Sequence, residues 1–322
     1  MRKVDVVVLN SHGVGQVCHI KRLPRRGETL AAKNWRVEED GGKGVTVSVA
    51  LGRLGIATGY IGKVGCDPWG EMGKKWLEES GVDATHMIFD ETVATGTGLI
   101  MIDEEGYNTI VDGDSACEFL TEEEVERALS DMKDATYFIT GFGMPWQKAL
   151  AGAKRAKEGY GMSTLCNASP LPDGPMGDLS YLDYLVLNDV EAGALLGHEE
   201  DAGRCIRSMA EDLQKQYGCG GVIITNGEHG SGVLSGGEWI DVPPVEVEAV
   251  DTIGAGDGYL AAFTAGLVRG LDVRDAALYA GLYSAYKVTR QGSMTKKPGM
   301  GYPYDREVEE FIARLDLTGA AG

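Results

Sequence analysis

Four short stretches of this 322-residue chain combine residue types that can handle phosphate. The first, Asp251-Thr252-Ile253-Gly254-Ala255-Gly256-Asp257, runs straight into GYLAAFTAGLVRG. That continuation is apolar nearly all round, so it reads as a buried helix. The amides at 254–257 then point out of a helix N-terminus, which attracts anions. Gly254 and Gly256 permit close backbone approach, small Ala255 does not obstruct it, and Asp257 projects into the same space. An amide cradle beside a carboxylate suits phosphoryl transfer. The amides take up charge on the transferring group while the carboxylate accepts the proton of an attacking hydroxyl. The competing reading is that Asp257 caps its helix and does nothing more.

The other three stretches are weaker taken singly. Gly41-Gly42-Lys43-Gly44 leads into VTVSVALGRLG, a helix of small residues with Lys43 at its mouth, and packing alone also explains such a turn. Asn188-Asp189-Val190-Glu191 ends the apolar run DYLVLN, and strand C-termini are where open α/β sheets place ligands. Asn188 and Glu191 share one helical face and could hold a hydrated Mg²⁺ near phosphates, or form a cap with a solvated glutamate. Thr225-Asn226-Gly227-Glu228-His229-Gly230 offers a nucleotide a hydroxyl and mobile amides, or makes a plain hairpin turn. No P-loop, dinucleotide glycine fingerprint, serine-hydrolase elbow or zinc-protease motif occurs.

Elements that could position these residues repeat as strand then helix. Apolar, β-branched runs stand at 4–10, 58–65, 135–140, 163–168, 183–188 and 221–225, with helical patterns at 43–54, 69–80, 121–131, 146–158, 189–196 and 202–217. Thr121 with Glu124 forms a capping box, and Gly55 and Gly81 stand where helices end on glycine. Continuously apolar strands belong in a parallel sheet covered on both faces, so the fold class is an α/β sandwich. Residues 16–37 and 93–112 break the rhythm with polar–apolar alternation and read as antiparallel hairpins: a lid over a site, a dimer contact, or both. No internal repeat, linker or second-domain boundary interrupts 1–322.

Charge and composition exclude some functions. The formal net charge of −19 repels nucleic acid and anionic membranes, so an anionic substrate needs local amides, cations or a metal ion. MRKVDVVVLN is too short and too interrupted for a signal peptide, and no run approaches the ~18 apolar residues of a membrane span. Six cysteines without a CxxC pair read as free thiols in a reducing cytoplasm.

In chain order, the four motifs resemble the ribokinase-like (PfkB) family of carbohydrate and nucleoside kinases, and the resemblance runs from LPRRGET to VTRQG at 288–292. It implies a three-layer α/β/α sandwich with a mostly parallel central sheet and a small β-lid that often forms a homodimer interface. It implies ATP as co-substrate and Mg²⁺ as cofactor, with Asp257 as base and Gly254, Ala255 and Gly256 as the anion hole. Asn188 and Glu191 support Mg²⁺ and the phosphates, and Thr225, Gly227, Glu228 and Gly230 lie along the nucleotide. A monovalent cation, K⁺, is implied at Asp251 with the carbonyls of Ile253, Lys287, Arg290 and Gly292. Lys296 stands where the family often carries a small hydroxyl residue, and its ammonium could replace that ion.

The sugar end departs from the family. Where ribokinases carry an Asn-x-Asp pair, this chain has Gly13 and Gly15. Thr46 replaces the Asn after the glycine motif, and Gly143 stands where an acidic residue is expected. Lost hydrogen-bonding groups abolish discrimination for the cognate hydroxyls, so ribose is not the expected acceptor. One reading gives the vacated space to a bulkier acceptor touched by His12, Gln16, Gly41, Gly42, Lys43, Thr46 and Trp146. In the other, the glycines serve backbone geometry. Two alternatives to a sugar kinase stand beside it. One is a nucleoside kinase using Trp35, Trp146 or Phe142 as an aromatic wall, and the other is a metabolite-sensing pseudokinase that binds without turnover.

Overall fold

Alternation along the first strand separates the two faces of the molecule. In β1 (Val6–Leu9), Val6 and Val8 join one buried cluster while Val7 and Leu9 join another, as a strand covered on both sides requires. The structure, a computed structural model, describes residues 3–38, 41–105, 107–197 and 205–319.

After β1 come the lid strands β2 (Gly13–His19) and β3 (Lys33–Glu38), helix α1 (Gly42–Arg53), β4 (Thr58–Gly65), α2 (Pro68–Glu79) and β5 (Asp83–Asp90). Lid strands β6 (Gly96–Ile102) and β7 (Asn108–Asp112) follow, then α3 (Glu122–Asp131), β8 (Tyr137–Gly141), α4 (Trp146–Tyr160) and β9 (Ser163–Asn167). The chain continues through β10 (Tyr184–Asn188), α5 (Asp189–Leu195), α6 (Ile206–Tyr217), β11 (Gly221–Thr225), β12 (Ser231–Ser235) and β13 (Glu238–Val242). It ends with α7 (Ala255–Val268), α8 (Val273–Val288) and α9 (Asp305–Gly319).

The central sheet runs β13-β12-β11-β10-β9-β8-β1-β4-β5, parallel except where β12 pairs antiparallel with both neighbours. Strand order reverses between β1 and β8, so a crevice opens beyond Leu9 and Gly141, where such sheets bind ligands. Helices α1, α2, α7 and α8 pack on one face, α3, α4, α5 and α6 on the other, giving the expected three layers. Thr121 and Glu124 form the expected capping box, and Gly55 and Gly81 take positive φ at helix ends. Strand β5 escaped the sequence reading because an edge strand, DATHMIFD, buries few of its side chains. The helix expected from 202 begins at Ile206 among the described residues, and 202–204 lie outside them.

The two irregular segments form one four-stranded lid, ordered β3-β2-β6-β7. Each is an antiparallel pair as expected, but β2 and β6 join the two pairs in parallel, and β2 starts at Gly13. Both roots are tied to the start of α2. Asp67 caps that helix through Trp69 N and Gly70 N and also accepts from Thr95 N and Oγ1, one residue before β6. At the other root, the His12 ring bonds the Trp69 carbonyl at 2.9 Å, one residue before β2.

Arg53 at the end of α1 is buried and donates to the carbonyls of Met294 at 2.6 Å and Tyr302 at 2.8 Å, with Thr295 at 3.3 Å. It therefore anchors the loop carrying Tyr302, whose hydroxyl donates to Gly254 O at 2.7 Å. Removing a buried cation that several carbonyls share leaves those acceptors unpaired. Arg53→Met is expected to lower stability by about 3 kcal/mol. The check is a lower denaturant midpoint at unchanged m-value, with faster proteolysis in 293–302.

Candidate active site

Helix α7 begins after Gly254, whose φ of 74° only glycine adopts without strain, and a side chain there would collide with the Tyr302 hydroxyl. Gly256 faces open space. The amides of Gly256 and Asp257 carry no hydrogen bond among the described residues, whereas the Ala255 amide returns to Thr252 O. The helix thus opens with unsatisfied donors. Asp257 is buried and its Oδ1 has no partner among the described residues. Burial pushes its pKa up, the Lys43 ammonium pulls it down, and Glu191 raises it further. Lys43 and Glu191 are therefore close enough to be felt by the same carboxyl.

Asn188 and Thr225 are register partners at the ends of β10 and β11, so two of the motifs share one sheet edge. Asn188 Oδ1 accepts from Glu191 N at 2.7 Å while Glu191 Oε2 accepts from Asn188 N at 2.9 Å, a reciprocal cap. Cap and ligand are not exclusive, because Glu191 Oε1 makes no hydrogen bond among the described residues. One half-buried carboxylate oxygen suits Mg²⁺, which keeps most of its waters and takes few protein ligands. No group of three metal-binding side chains occurs among the described residues. The 225–230 stretch is a hairpin between β11 and β12 with a 3-10 turn over Gly227–His229, and the exposed Glu228 side chain stands at its tip. Gly227 and Gly230 take positive φ there.

The acceptor end differs from expectation in several ways. His12 does not face the crevice: it is buried, with Nδ1 2.9 Å from Gly41 O and Nε2 2.9 Å from Trp69 O. Gln16 is engaged by Trp35 within the lid. Glycines 13 and 42 serve close backbone approach, since a side chain on Gly13 would meet Gly96 O and one on Gly42 would meet Gly13 N. Gly15 pairs with Glu38 and Gly98 inside the lid sheet. At Gly143 the space is occupied: a Cβ there would stand 2.8 Å from Ser11 Oγ, 2.9 Å from Asn10 Oδ1 and 3.0 Å from Lys43 Cβ. Buried Thr46 lies on α1, three residues along from Lys43. Trp146 and Phe142 line a cavity of about 300 Å³ with Met144, Pro145, Pro170 and Leu171.

Lys296 also stands apart from its expected place, paired at the surface with Glu79 at 2.9 Å. The lysine behind the glycine turn is Lys287, whose Nζ reaches Asp251 O at 3.3 Å. Its backbone alone drew notice in the sequence. Asn10 escaped notice too, although its position at the end of β1, beside the strand-order reversal, was a usable signal.

This sheet, its lid and a buried carboxylate at the start of a glycine-led helix define an α/β kinase of the ribokinase fold. Arabidopsis thaliana ribokinase, solved with ribose and ATP, superposes with a TM-score of 0.84 at 24% identity, over 97% of this chain and 99% of that one. The pfkB family carbohydrate kinase model matches residues 17–299, and the chain belongs to that family; it is a carbohydrate kinase. Among curated relatives, a deoxyribokinase of Salmonella typhi is 28% identical over 316 residues, covering 98% of this chain and 100% of the relative. A ribokinase of Staphylococcus aureus is 27% identical, covering 91% and 96%.

The raised pKa of Asp257 has a consequence for stability. The contribution of this one carboxyl to stability is fully present below the unfolded-state pKa and is lost as pH rises through the raised folded-state pKa. Asp257→Asn cannot ionise and escapes the loss. The variant is expected to melt higher than wild type at pH 8, by about 1 kcal/mol or more of stability. The difference should shrink toward pH 4, and calorimetry across that range checks it.

Proposed function

We propose that this protein transfers the γ-phosphoryl group of MgATP to a hydroxyl of a sugar or sugar-derived acceptor other than ribose. The observation that carries the reading is the unpaired, buried Oδ1 of Asp257 beside the free amides of Gly256 and Asp257. Asp257 accepts the hydroxyl proton, and its raised pKa brings it nearer the working pH of a general base. The amides of the 254–257 turn hold negative charge on the transferring group, and Lys43 adds a cation on the acceptor side. Asn188 and Glu191 would hold a hydrated Mg²⁺, which when bound neutralises phosphate charge. Thr225, Gly227, Glu228 and Gly230 line the nucleotide side.

Several observations support an acceptor other than ribose. Gly13 and Gly15 contribute no side chain, and Gly143 contributes no acidic group, its surroundings being crowded by Asn10, Ser11 and Lys43. Within the family, a nucleoside acceptor is favoured by the Phe142–Trp146 cavity, whose apolar wall suits a base. Exposed Trp35 on β3 and Val111 on β7 support pairing of two copies through the lid. Six free cysteines support a reducing compartment, the cytoplasm, and no helix among the described residues is long and apolar enough to cross a membrane.

An ADP-release screen with MgATP tests the reading across ketoses, sugar acids, deoxy sugars, sugar phosphates, ribose and nucleosides. One non-ribose acceptor should turn over, with at least ~10²-fold loss in Asp257→Asn. Efficient ribose turnover would overturn the acceptor assignment. Nucleoside turnover selects the second reading, and binding without turnover selects a sensor.

A further inference from the structure

Lys287, in the last turn of α8, is buried at 0% exposure. Its ammonium donates to the Asp251 carbonyl at 3.3 Å and lies 5.9 Å from the centroid of the Tyr302 ring. Both contacts belong to the frame of the glycine turn. Asp251 opens that turn, and the Tyr302 hydroxyl donates to Gly254 O within it. Three residues before Lys287 on the same helix, Ser284 donates to Ala255 O at 3.1 Å. The lysine therefore stands behind the 251–257 turn, on the side away from open solvent.

The oxygen set implied for K⁺ already has a cation beside it, the Lys287 ammonium at the Asp251 carbonyl, and part of the set is engaged by other donors. Asp251 Oδ1 accepts from Ile253 N at 2.9 Å, and Oδ2 accepts from Gly292 N at 2.8 Å and Gln291 Nε2 at 3.1 Å. The Lys287 carbonyl accepts from Arg290 N at 3.0 Å. A hard cation there would share these oxygens with the donors already on them, and it would have to take the place that the Lys287 ammonium holds against the Asp251 carbonyl. It would also meet the Lys287 ammonium, which has no carboxylate partner among the described residues, whereas the buried Arg290 guanidinium one turn away is balanced by Glu307 at 3.1 Å. An ammonium with so few partners is costly to bury, and burial indeed depresses its pKa while Asp251 opposes that shift.

We propose that the Lys287 ammonium is itself the cation of this site, so that the glycine turn is charged from within the chain and takes no monovalent metal ion. Lys287 is a positioning residue. It touches no reacting atom, but it orients the carbonyl that opens the turn and adds positive field behind the amides that face phosphate. The inference rests on the reading of 251–257 as the anion-binding turn.

Melting curves at equal ionic strength in KCl and in choline chloride test this without any acceptor, so a failed search for substrate leaves the result interpretable. Wild type is expected to melt at the same temperature in both salts. Lys287→Ala, with the ammonium removed, is expected to melt higher in KCl by about 2 °C or more as the ion takes the emptied place. With an acceptor in hand, wild-type ADP release should agree within ~2-fold between the salts, while K⁺ should raise that of Lys287→Ala by at least ~10-fold. A K⁺-induced rise in the wild-type melting temperature, or ~10-fold stimulation of wild-type turnover, would overturn the proposal. A folded Lys287→Met that ignores K⁺ and matches wild-type turnover would overturn it as well. Should neither variant fold, the two wild-type comparisons still decide.

Discussion

A carboxylate held out of water without a partner is the interaction on which the rest of this structure turns. Asp257 is buried at the head of α7, Oδ1 has no hydrogen bond among the described residues, and Glu191 raises its pKa further. Such a group is tolerated only where surrounding structure over-determines its position. Here α7 is buried along nearly its whole length, packed against α1 and α8, and the residue that caps its start, Gly254, is locked by glycine geometry and the Tyr302 hydroxyl. The positive ends near it are fixed dipoles and a few cations, the local compensation that a chain of net charge −19 needs for anionic ligands.

That arrangement extends outward through a short chain of contacts. Arg53 ends α1, holds the 293–302 loop by its carbonyls, and so positions Tyr302 over Gly254. The other end of α1 carries Lys43 toward Asp257. One helix thus serves the site at both termini. A change in either end reaches the glycine turn through packed, hydrogen-bonded groups, with little room for independent relaxation.

The lid is attached by comparably specific means. Asp67 and His12 tie the roots of β6 and β2 to the first turn of α2. Burial pushes the Asp67 carboxyl up, but hydrogen bonds from Thr95, Gly70 and Trp69 leave its pKa below the usual value, so the link is a charged one at neutral pH. His12 is given to this hinge. Gly73 is required beneath its ring, where any Cβ would strike the imidazole. The glycines at 13 and 42 belong to the same junction, and their lack of side chains answers first to backbone approach.

Much of the scaffold is legible in the order of residues. Buried parallel strands announce themselves as apolar runs, helix ends as glycines and capping boxes, and the anion-binding turn as glycines before an all-apolar helix, because each of these rules acts over a few neighbouring residues. The same locality explains what escaped. DATHMIFD shows only the short apolar run Met87-Ile88-Phe89, since an edge strand buries little, and the parallel joining of β2 to β6 links residues some eighty positions apart. Whether His12 faced a ligand or a hinge, and whether Lys287 or Lys296 stood behind the turn, could not be read from type or spacing. A long side chain's surroundings are set by which distant segments pack around it. The sequence by itself determined the layered α/β fold and the candidate base. Only the tertiary structure decided which cations and which side chains share the crevice, because burial and electrostatic contact are properties of segments brought together in space.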